Sequence, residues 1–278
     1  MILTPKQLSE RSRIYVGSCH DAIERMAPSS VSLVVTSPPY DGLRTYHGGP
    51  GWDYEQLGRQ LLRVVTVGGV AAVVIQDQTS DFAKSGTSFR LAVSWMDLGW
   101  RLFECCIYRR EACPGKWWSQ RFRVDHEFVM IFFRGNRPKT FDKSSFAVLS
   151  KSPGKTGLGA KRQKNGSIKP MSFVVGEFKC RGTVWDYQSS STERNAVKTE
   201  HPATFPDALA DDLVRCFSKP GDLVLDPFLG SGTTAVISAN RGRRFVGCEI
   251  SPKYVEIVKR RLWKESPIDP KVLPIEKV

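Results

Sequence analysis

The chain is organised around short, almost unbroken aliphatic runs, each ended by residues that cannot continue a strand. Val31, Leu33, Val34 and Val35 lead into Thr36-Ser37-Pro38-Pro39-Tyr40; Val70 to Ile75 leads into Gln76-Asp77; Leu223-Val224-Leu225 leads into Asp226-Pro227-Phe228-Leu229-Gly230-Ser231-Gly232-Thr233-Thr234. A strand with one face in water alternates apolar and polar residues, so runs like these belong to strands covered on both faces. Helical patterns separate them. Tyr54 to Val67 carries Leu57, Leu61, Leu62 and Val65 on one side, with Gly68-Gly69 expected to end it; Phe89 to Leu98 reads as a second helix, and Asp207 to Ser218 turns Leu209, Leu213, Val214 and Phe217 inward. Strand and helix in alternation predict an α/β fold, a doubly wound and mostly parallel sheet whose ligands collect at the carboxyl ends of the strands.

The residues at two of those ends carry chemistry. Each proline of Ser37-Pro38-Pro39 fixes its own φ and biases its predecessor toward extended geometry, leaving a stiff row of carbonyls with no ladder partner. With the ring of Tyr40 beside it, such a row suits a planar heterocycle bearing an amino group. That amine is a poor nucleophile because its lone pair is delocalised into the ring, and two acceptors on its hydrogens draw the nitrogen toward a tetrahedral, reactive shape. Alone, the same residues describe an ordinary proline turn. At the other end, the glycines let a ligand approach the backbone and the following helix offers unpaired N–H groups to a carboxylate. One helix and strand later, Arg244-Phe245-Val246-Gly247-Cys248-Glu249 places a carboxylate 17 residues past Gly232, the usual position of a ribose-hydroxyl acceptor in nucleoside-binding sheets.

Together and in this order, TSPPY and DPFLGSGTT resemble the β-class amino-methyltransferases of DNA, which move a methyl group from S-adenosylmethionine to N4 of cytosine or N6 of adenine. The resemblance runs roughly from Ile14 to Leu262. It implies a Rossmann-like methyltransferase fold with a seven-stranded, mostly parallel sheet containing one antiparallel strand, circularly permuted so that the catalytic half precedes the donor-binding half. It assigns catalysis to Ser37, Pro38, Pro39 and Tyr40, with the target base flipped out of the duplex onto Tyr40. It assigns the donor to Asp226, Phe228, Gly230, Ser231, Gly232, Thr233 and Thr234, with Glu249 on the ribose, Phe205 and Pro206 walling the methionine end, and His201 nearby. Orientation and hydrogen bonding then drive a direct transfer without a covalent enzyme intermediate or a metal. The first strand, Arg13 to Gly17, departs from the family in ending Gly-Ser rather than Gly-Asp. The adenine contact would pass to Ser18 or to His20-Asp21, although Ser18 also reads as a helix cap. Serine before Pro-Pro, with Gly42-Leu43-Arg44 and Tyr46 close behind, is similar to the N4-cytosine enzymes. Asp41, where many relatives carry an aromatic, and the ability of a carboxylate to accept the same hydrogen keep N6-adenine as the alternative.

The formal net charge of +13 favours a polyanionic partner, and duplex DNA is the one the motifs imply. Lys151, Lys155, Lys161, Arg162, Lys164 and Lys169 stand among Gly, Ser and Pro with no acidic residue between Ser150 and Pro170, the pattern of a flexible basic arm on phosphates. Arg44, Arg109 and Lys116, the last beside Trp117-Trp118, are further DNA candidates. Asp41 to Trp52 reads as a loop that closes over a base, and Asp77 as a cap or part of the base pocket. The expected organisation is a catalytic half over residues 1–133, a target-recognition insertion over 134–184, a donor half over 185–263 and a poorly ordered tail over 264–278 with three prolines. Seven cysteines with no CxxC pair argue against a zinc ribbon and for reduced thiols. No secretory h-region and no run of 18 apolar residues is present, so a cytoplasmic protein is expected; the resemblance implies one that is prokaryotic or phage-encoded, as monomer or homodimer. Three rival readings remain. In an RNA or protein glutamine methyltransferase the glycine loop usually comes first; a nicotinamide dehydrogenase needs GxGxxG, which is absent here; a non-catalytic DNA-binding protein leaves Ser37 to Tyr40 without a purpose.

Overall fold

A computed structural model describes residues 3–39, 52–110, 120–187 and 205–278. In chain order its elements are α1 (Pro5–Arg11), β1 (Arg13–Val16), α2 (Cys19–Glu24), β2 (Val31–Thr36), α3 (Tyr54–Val64), β3 (Val65–Ile75), the two-residue strands β4 (Thr79–Ser80) and β5 (Ala83–Lys84), α4 (Thr87–Asp97), β6 (Arg101–Arg110) and β7 (His126–Phe133). They continue with β8 (Ala147–Leu149), β9 (Thr156–Arg162), β10 (Ile168–Val174), β11 (Phe178–Cys180), β12 (Val184–Tyr187), α5 (Asp207–Phe217), β13 (Leu223–Asp226), α6 (Thr233–Asn240), β14 (Arg244–Glu249), α7 (Pro252–Glu265) and β15 (Ile275–Lys277). Two compact units result, one from Met1–Asp142 with Thr183–Val278 and the other from Lys143–Gly182.

The first unit is built on one sheet in the order β12-β6-β7-β3-β2-β13-β14-β1-β15. Only β7 runs antiparallel to its neighbours β3 and β6; every other pairing is parallel. The expected seven strands with one reversed are therefore present, and β12 and β15 add a strand at each edge. The aliphatic runs form its centre: Val31, Leu33, Val34, Val35 and Val70 to Ile75 are all buried. In β1, Ile14 packs into the cluster formed with α1, α6 and α7, while Tyr15 packs into the one formed with α2, α3 and α4. Adjacent residues thus face opposite helical layers, which is why these strands lack alternation.

Three expectations are corrected. The helix from Tyr54 ends at Val64, and Gly68-Gly69 lies inside β3 instead of closing the helix. The step from Val31 to Leu33 on β2 faces the step from Val65 to Val70 on β3, so the glycines sit in an irregularity of the ladder. Gly68, at φ +80°, packs against Lys139, and its N–H donates to the Arg134 carbonyl at 2.7 Å. The tail is ordered. β15 pairs with β1, the Ile14 N–H donates to the Pro274 carbonyl at 3.0 Å, and Ile268 and Leu273 are buried beside Ile14 and Leu262. The prolines punctuate the tail, but its two buried apolar residues, Ile268 and Leu273, and the open edge of β1 hold it in place.

In the second unit the basic segment is a β-hairpin, β9 against β10, rather than a flexible arm. Its turn is closed by the Gly166 N–H on the Gln163 carbonyl and by Asn165 Oδ1, which accepts from the Ser167 hydroxyl at 2.7 Å. Gly157 and Gly159 leave room for the Phe173 ring, which lies where their side chains would be. The glycines read from sequence as flexibility are in fact the floor beneath an aromatic ring.

Candidate active site

β2 and β13 come from opposite halves of the chain and lie side by side, with Leu33 opposite Val224 and Val34 opposite Leu225. Their carboxyl ends therefore emerge together, and a buried hydrogen bond joins them: the Thr36 hydroxyl donates to Asp226 Oδ1 at 2.7 Å. The Phe228 N–H donates to the same oxygen at 3.1 Å. The Thr234 hydroxyl crosses to the Val35 carbonyl at 3.2 Å. Ser37, Pro38 and Pro39 thus leave the sheet next to the glycine loop, with Pro38 buried and its neighbours half-buried. Burial pushes the Asp226 carboxyl up to about 6, although hydrogen bonds from Thr36, Thr234 and the Phe228 N–H oppose the shift.

The loop itself is shaped by two glycines in the left-handed region, Gly230 at φ +53° and Gly232 at φ +84°. Gly232 is the N-cap of α6 and supplies no side-chain cap to the first N–H groups of that helix. Ser231, Thr233 and Thr234 are buried. Glu249 closes the other side. Its Oε2 accepts from the Gly230 N–H at 2.9 Å and its Oε1 from the Ser251 N–H at 2.8 Å. Burial pushes its carboxyl up to about 7, against the pull of those two donors and with help from nearby Asp226. Phe228 meets Trp52 edge-on, ring centroids 5.8 Å apart. Half-buried Phe205 and buried Pro206 precede α5, with Pro206 as its N-cap.

A sequence model described as DNA methylase matches residues 31–260. The chain belongs to the N6/N4 DNA methylase family. Among curated relatives, the orphan methyltransferase M.BamHII of Bacillus amyloliquefaciens is 34% identical over 248 residues, covering 86% of this chain and 91% of that protein. The type II methyltransferase M.Cfr9I of Citrobacter freundii is 26% identical, with 91% and 88% covered. Among solved structures, PvuII DNA methyltransferase (cytosine-N4-specific) superposes with a TM-score of 0.69 at 19% identity over 95% of both chains. The Thermus thermophilus protein TTHA0409, complexed with S-adenosyl-L-methionine, gives 0.64 at 24% identity, with 96% of this chain and 99% of that one covered. These two likenesses establish the fold.

The structure of this methylase gathers Ser37, Pro38, Pro39, Asp226, Phe228, Gly230, Ser231, Gly232, Thr233, Thr234 and Glu249 at one edge of the sheet. Ser18 joins them, because Val16 pairs with Glu249 and the Gly17 N–H donates to the Glu249 carbonyl at 3.0 Å. Its hydroxyl caps α2, accepting from the His20 N–H at 3.2 Å, and the His20 ring is held by Gln60 at 2.7 Å. Asp77 is buried and caps the start of α4, accepting from the Ser88 N–H and hydroxyl, each at 2.8 Å. Arg109 is ion-paired with Asp186 of β12. Lys151, Lys155, Lys161, Arg162 and Lys164 are exposed in the second unit. Tyr40, Arg44, Lys116 and His201 lie outside the described residues. Sequence reasoning did not single out Thr36 or Trp52. The signal for Thr36 was a hydroxyl as the last residue of an otherwise aliphatic run; for Trp52 it was only membership of the aromatic-rich loop from Asp41, which did not point to Phe228 as its partner. No group of three His, Cys, Asp or Glu among the described residues is placed to hold a metal ion.

Proposed function

We propose that the chain methylates the exocyclic N4 of cytosine in duplex DNA. The observation that carries this reading is the Thr36–Asp226 bond, which puts the Ser37-Pro38-Pro39 acceptor row beside the glycine loop. The methyl donor is S-adenosylmethionine, which supplies an electrophilic methyl on a sulfonium. The donor set fits it: two buried carboxylates suit its cationic groups and ribose hydroxyls, and the uncapped start of α6 suits its carboxylate. In this reading Glu249 accepts from the ribose, Ser18 lies toward the adenine, and Phe228, Phe205 and Pro206 wall the methionine end, with His201 close by.

On the acceptor side, Ser37 Oγ and the Pro38 carbonyl take the two amino hydrogens of a flipped base stacked on Tyr40, turning the nitrogen lone pair out of the ring plane. Holding that nitrogen in line accounts for most of the acceleration. Serine rather than aspartate at position 37 favours cytosine, because serine before Pro-Pro is the pattern that resembles the N4-cytosine enzymes. The β9–β10 hairpin supports duplex binding, as Lys161 and Lys169 stand directly opposite each other on one face. Like charges so placed repel unless a polyanion lies between them. Arg44 and Lys116 are assigned to phosphates, the latter also for its neighbours Trp117-Trp118, and Arg109 would meet a phosphate only by exchanging its partner Asp186.

Mass spectrometry of nucleosides from unmodified duplex DNA, after incubation with protein and S-adenosylmethionine, tests this. N4-methylcytosine is expected, and its loss in Ser37→Ala and Tyr40→Ala. N6-methyladenine in its place would reverse the base assignment.

A further inference from the structure

We infer that Arg261 is a positioning residue for the methyl donor, a buried guanidinium that locks the glycine loop against the start of α5. It lies on α7 and is 6% exposed. Its Nη1 donates to the Ser231 carbonyl at 3.3 Å and to Thr233 Oγ1 at 3.1 Å. Its Nη2 donates to Asp207 Oδ2 at 3.1 Å and Glu265 Oε2 at 3.0 Å, and its Nε to Glu265 Oε2 at 3.1 Å. One side chain thus joins three segments: its own helix, the first residue of α5 immediately after Phe205-Pro206, and both residues flanking Gly232.

The geometry requires arginine. A lysine ammonium is a point charge with no fixed fork, whereas the planar guanidinium sends donors in three fixed directions and remains charged when buried. The loop has little else to define it on this side. Gly232 sits in the left-handed region, and a Cβ there would stand 2.9 Å from Val258, one turn before Arg261 on α7. α7 is therefore the floor of the loop, with Val258 setting the height of Gly232 and Arg261 tying the residues on either side of it. Because Asp207 adjoins the Phe205-Pro206 wall, the same side chain sets the distance between the two segments assigned to the donor's methionine end.

This inference rests on the donor-site reading above, so the test carries a control for it. Donor binding to the full chain is measured by calorimetry, with steady-state kinetics and melting temperature, for Arg261→Lys, Asp207→Asn, Glu265→Gln and Glu249→Gln. Arg261→Lys and Asp207→Asn are expected to weaken S-adenosylmethionine by roughly tenfold or more, the scale of one lost charge-assisted hydrogen bond. KM for the donor should rise while kcat at saturating donor and KM for DNA change by less than about threefold. Glu265→Gln, which removes a partner on the arginine's own helix and leaves the loop contacts, should lower the melting temperature with donor affinity unchanged. Unaltered donor affinity in Arg261→Lys and Asp207→Asn, alongside a weakened Glu249→Gln, would overturn the role of Arg261. Unaltered affinity in all four variants would instead overturn the donor site.

Discussion

Asp226 and Glu249 make the site sensitive to pH, and the sign follows from the direction of their shifts. Both carboxyls titrate higher in the folded chain, at about 6 and about 7, than their ordinary values of 3.8 and 4.5. The folded protein therefore holds protons that the unfolded chain has released. Their contribution to stability is fully present below the unfolded values and is lost as pH rises through about 6 and about 7. If the donor binds at these two residues as proposed, its cationic groups and hydroxyls prefer the carboxylates and expel those protons. Calorimetry should accordingly show S-adenosylmethionine binding more tightly as pH is raised from about 5.5 to about 8, with proton release visible as a buffer-dependent heat; a flat profile would show that neither carboxyl titrates in the site. Thr36→Val keeps the shape of the side chain and removes the donor to Asp226. It should cost about 1–3 kcal/mol in urea unfolding and move the pH profile upward, because the buried carboxylate loses a stabilising bond.

At the scale of elements, close approach decides more than propensity. Gly58 lies inside α3, where alanine would ordinarily stabilise a helix by up to about 1 kcal/mol. Here a Cβ would stand 2.5 Å from Trp95 Nε1. Trp95 cannot retreat: it is fully buried, stacked on Trp100 with centroids 5.5 Å apart, and donates to the Tyr54 carbonyl at 2.7 Å. Gly58→Ala should therefore destabilise, by about 1–3 kcal/mol from overpacking, and a higher melting temperature would show that α4 can shift away. The tail gives a second case. Leu273 is 5% exposed in the cluster under α7, so Leu273→Ala should lower unfolding stability by about 2–5 kcal/mol, whereas a poorly ordered tail would show no change. Sequence patterning identified the helix and strand cores because a run such as Val31 to Val35 has one way to be covered on both faces. It misread Gly68-Gly69, the tail and the basic hairpin for a common reason: glycine, proline and polar residues mark a break or a tight contact equally well, and only the neighbour across space distinguishes them.

For the whole molecule, the net charge of +13 makes DNA affinity a salt-dependent quantity. If Lys161 and Lys169 each meet a phosphate, Lys161→Gln with Lys169→Gln should reduce the slope of log affinity against log salt by about 1.8. The maximal methylation rate at saturating DNA should be unchanged, and an unaltered slope would remove the hairpin from the interface. Sequence alone determined the alternation of buried strands and helices, the proline-stiffened end of β2 at Ser37-Pro38-Pro39, and the glycine loop with a carboxylate one strand further on. These are local consequences of backbone restriction and periodicity. What the tertiary structure alone decided is which pieces meet. It joined the two motifs, which the resemblance had already assigned to one site, through the Thr36–Asp226 bond across 190 residues of sequence, added β15 to the edge of β1, and brought Arg261 under the glycine loop. The reason is that pairing and burial act through space: a hydroxyl ending a strand, an apolar residue in a proline-rich tail or an arginine on a helix acquires its role only from the partner that the sheet order sets beside it.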